Sequence, residues 1–234
     1  MSFSASVFIP VKPKGFDLTL SEKISWYSLG ALVIYTLPML FIENYYDYRF
    51  PQWVYYPSFL FFLLNFSSNF IRLTEFENLN GYFEGRITFN DEFITIDNSD
   101  YKYSDIEDLI VYGNSFSGEK TSNHKSGPMY GNGTKNLISF TSEGIKIEKH
   151  FQLNSEKHLD QLQEVLLHII TNEKIPYKRK YLNFINEEYR RFIIFEFFIG
   201  KLIKEKRIEC TEGLLLIGYD SDKEARELRA KYCC

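Results

Sequence analysis

Residues Ile24–Ile42, ISWYSLGALVIYTLPMLFI, form an uncharged run bounded by Lys23 and Glu43. As a helix rising about 1.5 Å per residue, such a run nearly crosses a hydrocarbon core of roughly 30 Å. A polar connection, ENYYDYR, separates it from a second uncharged run, Phe50–Ile71 (FPQWVYYPSFLFFLLNFSSNFI), which stops at Arg72. The two runs predict a transmembrane helical hairpin over residues 24–72. Trp26 and Tyr27 at one end, and Tyr45, Tyr46, Tyr48, Trp53, Tyr55 and Tyr56 at the other, stand at the depths of interfacial aromatic belts. The competing reading is a pair of buried helices in a soluble α-rich protein. Asn65, Ser67, Ser68 and Asn69 weaken the second run, yet polar residues of this kind also face partner helices in packed hairpins and homo-oligomers.

Working outward, Lys12, Lys14 and Lys23 precede the first run and Arg72 and Arg86 follow the second, whereas the connection carries only Arg49. The positive-inside bias therefore predicts a multi-pass protein of the cell inner (cytoplasmic) membrane with both termini cytoplasmic, residues 1–23 forming an N-terminal cytoplasmic segment. The opening residues lack the basic, apolar and small-residue zones of a cleaved secretory signal and are expected to be retained. The formal charge of −4 offers no concentrated basic surface for nucleic acid. Cysteine occurs only at 210, 233 and 234, so the first 209 residues hold no disulfide and no thiolate ligand.

From Gly81 the hydrophobic period changes from helical to alternating. Ile87 and Phe89 alternate with Arg86 and Thr88, and Ile94 and Ile96 follow the turn-like Asn90-Asp91-Glu92. Asp97-Asn98-Ser99-Asp100 supplies another turn, and Leu109–Tyr112 a further strand. In Ile145–Leu153, Ile145, Ile147, Phe151 and Leu153 are expected to face the core, with Lys149 alone breaking the alternation. A helix capped by Ser155 follows, its Leu159, Leu162, Leu166 and Ile169 forming one stripe, and it ends before Ile175-Pro176.

Strands closed by one amphipathic helix after a membrane hairpin resemble the bacterial pleckstrin-homology-like (PH-like) domains, specifically the YcxB-like membrane proteins. The resemblance covers roughly residues 20–176 and is carried by ITFNDEFITI at 87–96, YKYSDI at 101–106 and Phe151-Gln152-Leu153 running into the helix. It implies a membrane-anchored α+β protein whose PH-like domain, residues 79–176, is a curved, barrel-like antiparallel sheet plugged by the helix. It transfers no reaction and no catalytic residues.

The loop from Gly113 to Asn136 carries Lys120, His124, Lys125 and Lys135 among glycines, a basic segment suited to anionic lipid headgroups or to a ligand. The plainer reading is a strand connection, and Glu119 dilutes its charge. His124, His150, His158 and His168 lack metal-ligand spacing and read as solvated. There is no Gly-x-Ser-x-Gly elbow, HExxH helix or CxxC pair, so no residue set calls for a cofactor or metal. Cys233-Cys234 is not a CaaX ending, which argues against lipidation.

Residues 177–234 read as a small α/β extension. Lys178–Lys206 has helical spacing, with an apolar Phe192–Leu202 flanked by Arg190, Arg191, Lys201 and Lys204. That pattern fits a helix on an anionic leaflet, and also, as the plainer reading, a helix buried against its own domain or a second subunit with basic ends on the surface. Leu214–Tyr219 is expected as a strand, and Ser221 with Glu224 as the capping box of a last helix bearing Ala225, Leu228 and Tyr232 on one face. Strong anchoring signals without a catalytic constellation predict a membrane-tethered, non-enzymatic binding or regulatory module. The alternative is an effector whose cytoplasmic barrel senses a small ligand and whose hairpin oligomerises to perturb or gate the bilayer.

Overall fold

A computed structural model describes residues 1–121 and 127–233. Strand β1 (Phe3–Pro10) is followed by helices α1 (Leu20–Tyr46) and α2 (Tyr56–Arg72), strands β2 (Gly81–Phe89), β3 (Phe93–Ile96), β4 (Ser99–Lys102) and β5 (Ile106–Tyr112), and a short ribbon of β6 (Ser117–Lys120) and β7 (Tyr130–Asn132). Strands β8 (Asn136–Ser142) and β9 (Ile145–Phe151) precede helices α3 (Glu156–Thr171), α4 (Glu187–Arg190), α5 (Ile193–Lys204), α6 (Cys210–Ile217) and α7 (Asp222–Tyr232). Two compact units result: Met1–Ile9 with Phe83–Asn114 and Thr134–Cys234, and Pro10–Tyr82 with Ser115–Gly133.

The first unit is built on a seven-stranded antiparallel sheet in the order β4-β3-β2-β1-β9-β8-β5. It is open, with β4 and β5 at its edges, so the barrel expected from the sequence is corrected to an open sheet. The strands pair where their side chains alternate: Ile87 with Ile96 and Phe89 with Ile94 between β2 and β3, and Phe140 with Ile147 between β8 and β9. Asp97 and Asn98 both take positive φ, 48° and 71°, and join β3 to β4 by a two-residue turn whose twist matches the strands.

Strand β1 lies inside this sheet, although its residues were expected only as a segment leading to the first span. In FSASVFIP, Phe3, Ala5 and Val7 are buried and alternate with half-buried Ser4 and Ser6, and Val7 pairs with Phe151. Helix α3 packs its Leu159, Leu162, Leu166 and Ile169 into the core, and its cap is as expected, Ser155 accepting a hydrogen bond from His158 N at 3.2 Å. His158 is not solvated: Nδ1 accepts from Asn154 N, its Nε2 is 2.9 Å from Ser4 O, and its ring lies 4.7 Å from Phe3, so it fastens α3 to β1.

The C-terminal extension is helical, not α/β. Lys178–Lys206 is not one helix: a 3-10 segment, Arg179–Phe184, is followed by α4 and α5, with extended backbone at Ile185, Asn186 and Phe192 between them. Leu214–Tyr219 belongs to α6 and the bend after it, because Gly213, Leu214 and Ile217 bury one helical face and Gly218 ends the helix at φ 79°. The Ser221 cap of α7 is present.

In the second unit, α1 extends beyond the expected run at both ends. Its start is fixed by Glu22, whose carboxylate accepts the backbone N–H of Thr19 at 2.8 Å. Helix α2 is shorter than expected, because Pro51 precedes a 3-10 turn at Gln52–Tyr55 and Pro57 stands in the first turn of the α-helix. The two helices touch, Asn65 Nδ2 donating to Ser25 O at 3.0 Å and the Tyr35 and Phe61 rings meeting edge to face, and Tyr35 Oη also donates to Val54 O in the 3-10 turn at 2.9 Å. Among the described residues one helix, α1, is long and apolar enough to cross a membrane by length and composition. The ribbon of β6 and β7 replaces much of the expected loop, and Tyr130 N and O bond Glu75 O and Glu77 N at the exit from α2.

Phe151 is fully buried while Ile145, expected beside it in the core, is 66% exposed at the end of β9. Phe151→Ala should therefore cost about 3–5 kcal/mol and Ile145→Ala close to nothing, read as midpoints of chemical denaturation. A fragment beginning at residue 79 should fail to unfold cooperatively, since it lacks β1 and leaves β2 and β9 each without one of their two neighbours, splitting the sheet in the middle.

Candidate functional site

Of the basic residues singled out as ligand or lipid contacts, His124 and Lys125 lie outside the described residues. Lys120 ends β6, and Lys135 precedes β8; both are exposed. Arg190 is committed to structure, its Nε donating to Ile185 O at 2.8 Å, and Arg191 reaches Asp220 at 3.5 Å. These two precede α5, whereas Lys201 and Lys204 lie in its last turn, separated along the axis by about 15 Å at helical rise. The structure thus does not gather the four into one anion pocket.

Helix α5 has a buried and an exposed apolar face. Phe195, Phe198, Ile199 and Leu202 are buried against the domain, whereas Ile193, Ile194 and Phe197 are exposed and continue into exposed Lys201 and Lys204. Spacings of three and four residues separate these faces, and a sequence apolar nearly all round conceals them.

The C-terminal ends of α3 and α5 are joined by a charge cluster. Both helices end in a reversal normally taken by glycine: Glu173 has φ 50° and Lys206 φ 57°. The following residues close the turns, Lys174 N bonding Ile169 O and Arg207 N bonding Leu202 O. The Glu173 carboxylate receives Lys201 Nζ at 2.6 Å and the Arg207 guanidinium, which also stacks over the Tyr177 ring at 4.5 Å. Lys201 first, and then Arg207, hold the Glu173 carboxyl below the usual carboxylate range.

Beside this cluster opens a cavity of about 770 Å³. Its cationic lining is Arg179, Lys204, Lys206 and Arg207, against the carboxylates Glu209 and Glu212. Glu212 is paired with Arg179, and Arg207 is held by Glu173, whereas Lys204 lies 5.7 Å over the Tyr232 ring. Cys210, the first residue of α6, and Cys233, just after α7, also line it and form a disulfide with Cα atoms 5.6 Å apart. Both are half-buried. Helix α7 is seated here by Tyr232, whose ring occupies the space a side chain at Gly200 would need and whose hydroxyl donates to Glu196 at 2.7 Å. Three cysteines counted along the chain do not disclose this pair. The helix–turn–helix between positions 210 and 233 brings them together. With Cys233 bonded, its thiol is unavailable for lipidation, and Cys234 lies outside the described residues.

No group of three or more His, Cys, Asp or Glu among the described residues is placed to hold a metal ion. Compared with protein-family models, with curated proteins and with solved structures, the chain matches none.

Because the folded pKa of Glu173 lies below its ordinary value of 4.5, the stability it contributes is present above that value and lost as pH falls through the folded one. The full chain should therefore melt higher than its Glu173→Gln variant at neutral pH. The difference should shrink toward zero on acidification, as followed by thermal denaturation across a pH series.

Proposed function

We propose that the chain is a membrane-tethered, non-enzymatic binding or regulatory module. In this reading α1 and α2 form a transmembrane hairpin, and the sheet and C-terminal helices stand on the cytoplasmic side of the inner membrane. The observation that carries the reading is an inverted distribution of polarity in the second unit. The buried positions of α1 and α2 are Ser21, Ser28, Met39 and Ser68. Their exposed positions include Ile34 at 76%, Phe41 at 61% and Phe59 at 62%, together with Val33, Leu37, Leu60, Phe62, Leu63 and Phe66. Water-soluble proteins do not expose a continuous apolar surface of this kind, whereas helices packed in lipid put small and polar residues between them and apolar ones outside.

Topology supports a second crossing. Strands β1 and β2 are neighbours in one sheet, so the chain must return to the side it left. The return falls to α2, whose 17 residues rise about 26 Å and are preceded by the aromatic 3-10 turn at Gln52–Tyr55. The oligomerising effector has less support, because Ser67, Ser68 and Asn69 direct their hydrogen bonds to carbonyls of α2 itself. The relation to YcxB-like, PH-like proteins rests on seven antiparallel strands followed by one amphipathic helix, and the open edges at β4 and β5 are its departure from a barrel.

The exposed face of α5, with Ile193, Ile194 and Phe197 beside Lys201 and Lys204, extends this reading to contact with anionic headgroups. The whole chain should sediment with membranes and resist extraction by alkaline carbonate and by high salt. Release into the aqueous fraction without detergent would overturn the anchor.

A further inference from the structure

We infer that Cys210 and Cys233 form a redox-active pair that exchanges with anionic low-molecular-weight thiols and disulfides in the cationic cavity. Three independent features meet there. The two sulfurs are already within bonding reach, with Cα atoms 5.6 Å apart, and the half-buried residues line an open cavity of about 770 Å³ that admits a peptide-sized reagent. Four cationic side chains share that lining with two carboxylates; Arg179 is paired with Glu212 and Arg207 with Glu173 and Glu205, so Lys204 and Lys206, against Glu209, carry the cationic character. Cys210 also occupies the first position of α6, whose N-cap residue, Glu209, makes no side-chain cap. Cys210 stands at a helix start and Cys233 just past a helix end, and this placement assigns the nucleophilic role to Cys210.

The steps balance without a metal or a flavin. The Cys210 thiolate attacks one sulfur of a small-molecule disulfide, whose S–S bond breaks to release one thiolate and leave a mixed disulfide on Cys210. The Cys233 thiolate then attacks the Cys210 sulfur and releases the second small thiolate. The protein loses two electrons and two protons, and the reagent gains them as two thiols. A half-buried pair at the rim of an open cavity suits exchange with small reagents better than a staple sealed in a core. Closure ties α7 to the start of α6; opening leaves α7 seated by buried Leu228 and Tyr232 and by the Lys231–Glu196 ion pair at 2.8 Å. This inference stands apart from the membrane reading, since a soluble chain would carry the same pair.

The test uses the full chain in detergent with Cys234→Ser, which removes the third thiol. Free thiols are counted by mass-shift alkylation after equilibration in glutathione buffers and after reaction with oxidised glutathione or neutral 2-hydroxyethyl disulfide. The pair should close with oxidised glutathione and reopen with reduced glutathione while the protein remains folded. Lys204→Gln together with Lys206→Gln should slow the reaction with oxidised glutathione by roughly fivefold to tenfold and leave the neutral reagent nearly unaffected. A bond that withstands about 10 mM reduced glutathione in the folded protein would make it a permanent staple and overturn the exchange. So would thiols that never close with oxidised glutathione, and equal slowing of both reagents would overturn the cationic selection.

Discussion

The placement of β1 beside β2 constrains the rest of the chain. The strands are sheet neighbours, yet one ends at Pro10 and the other begins at Gly81, so everything between them leaves the sheet and returns to it. The base of that excursion is closed by Val11 N bonding Asn80 O at 2.9 Å and by Asp17, whose carboxylate takes the side-chain amides of Asn78 and Asn80. This connectivity alone requires the chain to return, after α1 and α2, to the side of the sheet it left. The same pairing makes the N-terminal strand indispensable to a sheet whose other strands all lie after residue 80.

Energetics decide which solvent the excursion prefers. Each large apolar side chain left in water forgoes about 1.5–3 kcal/mol relative to burial, and both α1 and α2 present many of them. Hydrogen bonds between the helices, such as Asn65 to Ser25, contribute about 0.6 kcal/mol apiece in a membrane, too little to offset that exposure in water. The outer surface therefore governs, and the proposed membrane reading gives it an apolar medium to face. The first unit follows the opposite rule, with Val7, Ile87, Phe89, Ile94, Ile138, Phe151 and Leu162 fully buried.

The elements legible in the sequence are those whose signal is local. The capped α3 stripe, the Asp97-Asn98 turn and the first apolar run each rest on a few adjacent residues. Strand β1 shows its alternation in FSASVFIP, but its partners lie about 80 and 140 residues away, and separation of that order hides a strand's place in a sheet. Leu214–Ile217 carries no period by which a buried helix differs from a strand, and Gly213 packed against Ile203 settles it in three dimensions. At the candidate site, individual cations were visible, but their grouping was not: Lys204 belongs with Arg179, Lys206 and Arg207 around a cysteine pair, while Arg190 and Arg191 serve the other end of α5.

The central claim is that the chain crosses the bilayer and returns between β1 and β2. Its most direct test is labelling of intact cells with a membrane-impermeant maleimide, in a chain whose three native cysteines are serine and whose single new thiol is Asn44→Cys or Ser99→Cys. The account predicts that the thiol at position 44 reacts from outside and the one at position 99 only after permeabilisation. Equal labelling of the two at either step, or labelling of position 99 alone from outside, would contradict it.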